Sequence, residues 1–136
     1  MKITKLPLLL IVTCAVVANA QEQQAPERKH NLMPVPASVK FLNERLAIDA
    51  NFKVATRGHS DTRLEAGIWR FMKRLEGRTV LTFAPTLAPD DQMTQLIVNC
   101  QGPGKNIPSV SEDESYRIDI TRRQAMLSAP TVVGAL

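Results

Sequence analysis

The chain has 136 residues and a formal charge of +4, a size that fits roughly one domain and excludes a (β/α)8 barrel of about 250 residues. With 44% apolar and 22% charged residues it has an ordinary globular composition, which excludes disordered, collagenous and coiled-coil classes.

Lys2 and Lys5, the apolar run Leu6 to Val17 and Ala18-Asn19-Ala20 together read as a secretory signal peptide over residues 1–20. The run is shorter than a membrane span, and Thr13 before Cys14 argues against lipid attachment. Cleavage would leave fifteen basic residues against thirteen acidic ones, a charge of +2. That is too slight to steer strongly toward acidic partners. The six aromatics are not interleaved with basic residues, so nucleic-acid binding is excluded as a reading, and no membrane partner is expected after cleavage. Only Cys100 survives, which rules out an internal disulfide and makes Cys100 a small buried apolar residue rather than a nucleophile.

Residues 21–30 are polar and aperiodic, a flexible lead-in. The domain is expected over residues 31–136, opening with Leu32-Met33-Pro34-Val35-Pro36 as an extended edge segment held by its prolines. Val39-Lys40-Phe41, Arg45 to Ile48 and Phe52 to Thr56 read as three short antiparallel strands. A helix follows from about Thr62. Ser60-Asp61-Thr62 offers capping hydroxyls or a carboxylate, with Thr62 and Glu65 spaced as a capping box, and Leu64, Ile68, Phe71, Met72 and Leu75 fall within about 100° of one face. Gly77 offers a left-handed stop, and Gly67 suggests close approach to a strand.

Val80 to Phe83 leads to a loop from Ala84 to Met93, then to a buried-looking strand from Gln95 to Cys100. Gly102, Pro103, Gly104 and Pro108 mark a second loop. Tyr116 to Ile120 alternates cleanly and pairs as a hairpin with Ala125 to Ala129 across Thr121 to Gln124. Thr131 then caps a second helix beginning at Val132, which the sequence leaves truncated at Leu136. The expected fold class is α+β, an antiparallel sheet with helices on one face.

No catalytic constellation emerges. Asp90-Asp91 and Glu112-Asp113-Glu114 sit in loops with nothing apolar around them to separate their pKa values. His30 and His59 lack a second ligand at metal-binding spacing. Gly102-Pro103-Gly104-Lys105 lacks both the spacing and the Ser/Thr of a phosphate loop. No catalytic, metal or cofactor residues are therefore assigned.

The ordered features nevertheless resemble a known family. Asn31 to Pro36, Leu46 to Asp49, the helix with Arg63-Leu64 and Phe71 to Leu75, Asp113-Glu114-Ser115-Tyr116, and Leu127-Ser128-Ala129-Pro130-Thr131-Val132-Val133-Gly134-Ala135-Leu136 look like the N-terminal non-catalytic domain of family-20 glycoside hydrolases, the β-N-acetylhexosaminidases. The resemblance implies an accessory domain beside a catalytic barrel. There, an adjacent Asp–Glu pair would assist attack by the substrate's own acetamido group. No residue here matches that pair, because Asp113-Glu114 belongs to the accessory-domain stretch. The expectation is a secreted accessory domain, inactive alone, whose partner is the barrel of its parent enzyme. The competing expectation is an independent carbohydrate-binding or interaction module, which would need Trp69 or Tyr116 presented to a sugar ring.

Overall fold

The computed structural model describes residues 30–89, 93–107 and 109–136, so the readings of a leader, of residues 21–29, of Asp90-Asp91 and of Pro108 lie outside the described residues. The chain divides into two units, Met1–Phe41 and Leu42–Leu136. The described part of the first unit, residues 30–41, carries no strand. Within it, His30 stacks obliquely on Phe41 with ring centroids 5.8 Å apart, and Met33 and Val35 are exposed.

The second unit holds a four-stranded sheet and two helices: β1 (Val54–Gly58), α1 (Thr62–Thr79), β2 (Leu96–Gly102), β3 (Arg117–Ile120), β4 (Ala125–Thr131) and α2 (Val132–Ala135). The strand order is β1-β2-β4-β3. β1 and β2 run parallel, as do β2 and β4, and only β3 is antiparallel to its neighbour β4. The sheet is thus mixed, which corrects the antiparallel expectation. Because α1 lies between β1 and β2, the chain returns to the same end of the sheet before entering β2, and a parallel pair results. Arg45 to Ile48 and Val39 to Phe41 form no strands. Leu46 alone of the former run tucks against the core.

The hairpin forms as expected, with Ile118 opposite Leu127 and Ile120 opposite Ala125. Its turn is closed by Thr121, whose N–H donates to the Gln124 carbonyl at 2.9 Å. Val54, Val98 and Cys100 on one sheet face meet Leu64, Ile68 and Met72 of α1, and Val132 of α2 completes this core. Phe52 and Phe83 close its far side with ring centroids 5.8 Å apart. A residue such as Leu64, 1% exposed, contributes about 2–3 kcal/mol through removal of its side chain from water.

Three local expectations at α1 are resolved by the structure. Of the three residues offered as the cap, Asp61 is the one used: its carboxylate accepts the N–H groups of Arg63 and Leu64 at 3.0 and 2.9 Å, and the Thr62–Glu65 capping box does not form. Glu65 instead receives the Ser60 hydroxyl at 3.4 Å. The helix runs through Gly77 and ends at Val80, whose φ of 61° is left-handed. The extra turn is held by Thr79, whose hydroxyl donates to the Leu75 carbonyl, and by Glu76, which accepts the Phe83 N–H. Gly67 does mark a close approach, but to the Leu136 side chain rather than to a strand.

Candidate functional site

Two places in the second unit gather side chains that could act. The first lies where β1 and β2 end and α1 begins. Gly58 leaves β1 with φ +74°, and a Cβ there would strike the Cys100 carbonyl, so only glycine lets the chain turn this tightly. The turn aims the His59 N–H at the Cys100 carbonyl, 2.8 Å away. It also brings His59 Nε2 to 3.6 Å from Asp61 Oδ2.

Arg63 faces the same carboxylate, donating from Nε and Nη2 to Oδ2 at 3.1 and 3.0 Å. Its remaining donors reach the carbonyls of Pro103 and Lys105 at 2.7 and 3.2 Å. The Leu64 N–H, followed by the Arg63 guanidinium, holds the Asp61 carboxyl down at about 2. The Cys100 thiol is fully buried, donates to the Gly102 carbonyl at 3.2 Å, and is pushed above its ordinary pKa by burial. A buried thiol kept protonated is inert as a nucleophile. Asp61 and Arg63 spend their polar groups on one another and on backbone, so this cluster clamps the loop after β2 to the helix start.

The acidic loop that follows is also structural. Glu112 accepts the Lys105 N–H at 2.7 Å. Asp113 accepts the Ser115 N–H at 2.9 Å, and Ser115 holds its carboxyl below the ordinary value. The Asp113 carbonyl receives the Thr131 hydroxyl at 2.8 Å, which ties this loop to the start of α2. Glu114 is exposed beside it. Among the described residues no group of three His, Cys, Asp or Glu side chains could hold a metal ion, and no helix is long and apolar enough to cross a membrane.

The second place is an apolar groove of about 360 Å3 on the helical face of the sheet. Leu64, Ile68 and Phe71 of α1 form one wall, Ile118 and Ile120 of β3 another, and Leu136 reaches in from the end of α2. Phe71, Ile118, Ile120 and Leu136 are 42%, 53%, 50% and 59% exposed. Aliphatic side chains without convergent polar groups make a surface for other apolar side chains rather than for a sugar. Trp69 is half-buried and Tyr116 is exposed. Sequence reasoning assigned the groove's residues separately to helix and hairpin and missed the Arg63 clamp entirely.

No protein-family model matches the chain, and no curated protein does. Among solved structures it is similar to the X-ray structure of a family-20 chitobiase from Flavobacterium johnsoniae, with a TM-score of 0.68 and 34% identity over 76% of this chain. The chain resembles the small N-terminal domain of family-20 glycoside hydrolases. It spans only 16% of the chitobiase chain. The family-20 likeness therefore concerns a domain of a glycoside hydrolase, and the features described above are those of the domain's architecture.

Proposed function

We propose that this chain is the accessory, non-catalytic domain of a secreted β-N-acetylhexosaminidase, with the role of buttressing the catalytic barrel of its parent. The likeness to a 16% portion of a chitobiase carries this reading. The parent would remove terminal N-acetylhexosamine from glycoconjugates or chitooligosaccharides. Among the described residues none is placed for that chemistry: the adjacent carboxylates Asp113 and Glu114 are engaged in a loop or exposed, and the Cys100 thiol is buried. The exposed groove suits a polypeptide partner, as apolar surface of this kind is normally covered by another chain segment or domain.

The test is an assay of the purified chain with an aryl N-acetylglucosaminide. The expected result is no turnover above buffer, while turnover that co-purifies with the chain and survives removal of contaminating hexosaminidase would overturn the proposal.

A further inference from the structure

We propose that β3 is a self-complementary docking edge, through which two copies of this chain pair antiparallel in one defined register. Among the described residues β3 ends the sheet, bonded only to β4, and all four of its residues are exposed. The Thr121 N–H to Gln124 carbonyl bond fixes which of its residues face inward. Counting back along the ladder, Asp119 and Arg117 exchange backbone bonds with β4, whereas the N–H and C=O groups of Ile118 and Ile120 point outward. Among the described residues no backbone hydrogen bond reaches that outer edge. An open row of such groups is a template for another strand.

The side chains then select the partner and the register. Only even-numbered residues offer outward groups, so an antiparallel copy can place Ile118 opposite its own counterpart, or slide by two residues either way. One slide sets Arg117 against Arg117, and the other sets Asp119 against Asp119. The central register alone sets Arg117 opposite Asp119 of the second copy, and does so twice, at non-hydrogen-bonded positions where side chains approach most closely. On the other face it sets Ile118 against Ile118 and Ile120 against Tyr116, which covers part of the exposed wall of the groove. Within one copy Arg117 and Asp119 already pair at 2.7 Å, so the dimer exchanges that contact for its equivalent across the two-fold axis. A four-residue edge is short for an interface, so the association is weak and concentration-dependent.

Sedimentation velocity on the purified chain from micromolar to millimolar protein tests this. The expected result is a reversible monomer–dimer equilibrium. Arg117→Asp or Asp119→Arg alone should raise its dissociation constant about tenfold by placing like charges opposite each other, and the double exchange Arg117→Asp with Asp119→Arg should restore it. Both positions are exposed, and circular dichroism reports whether each variant keeps the fold. Under mild oxidation Ile118→Cys should cross-link the dimer faster than Ile120→Cys, because opposed hydrogen-bonded residues lie about 5.5 Å apart, within disulfide reach. A wild-type chain that stays monomeric throughout, single variants that dimerise as well as wild type, a double variant that does not recover, or preferred cross-linking at position 120 would each overturn the proposal.

Discussion

Asp61 joins three functions in one carboxylate: it closes the first turn of α1 through the N–H groups of Arg63 and Leu64, anchors the Arg63 guanidinium, and faces His59. Its folded-state pKa of about 2 lies below the ordinary 3.8, so the ionised form favours the fold. That contribution is fully present above the ordinary carboxylate range and is lost as pH falls through about 2. Glu76 and Asp119 are held low as well, the first chiefly by the Lys73 ammonium and the second by the Arg117 guanidinium, and they add to the same acid limb. Asp61→Asn keeps a capping oxygen but removes the charge. Thermal melts of this variant and wild type should differ near neutrality and converge toward pH 2; a constant gap across the acid range would show that the carboxylate's ionisation is not linked to folding.

At the scale of elements, the end of α1 holds a conflict between residue and conformation. Val80 occupies the left-handed C-cap at φ 61° and is 95% exposed, so a β-branched residue bears the steric penalty there with almost no packing in return. Gly77, the residue suited to that position, lies in the helix with nothing near its missing side chain. Val80→Gly should therefore raise stability by about 1 kcal/mol, and Gly77→Ala by a similar amount, both read from urea unfolding midpoints. A loss in either would contradict the helix end described here.

The same elements show what the sequence could and could not disclose. The amphipathic stripe from Leu64 to Leu75 and the alternation from Arg117 to Ile120 are local periodicities, and both formed the elements expected of them. The helix boundary was misplaced because Thr79 and Glu76 extend the last turn with their own side chains, which outweighs the preference of Gly77 for a stop. The parallel pairing of β1 with β2 was not legible in Phe52 to Thr56, whose short apolar pattern fits either direction; the intervening helix decides it. The Arg63 clamp depends on carbonyls forty and forty-two positions away, for which no local pattern exists.

For the whole molecule, the four-stranded mixed sheet with both helices bearing on one core matches a small part of a chitobiase, and the described residues offer an apolar groove in place of a catalytic cluster. The match to part of a glycoside hydrolase is what supports the proposed reading of a domain that works beside another. A free-standing sugar-binding module would need a platform of exposed rings; Trp69 is half-buried, and although Tyr116 and Phe71 are exposed, the groove beside them is walled mainly by aliphatic side chains with no convergent polar groups. The most direct test of this account is to read the coding sequence downstream of the codon for Leu136. The account predicts an open frame that continues into a catalytic barrel carrying an adjacent Asp–Glu pair; an immediate stop, or continuation into an unrelated domain, would contradict it.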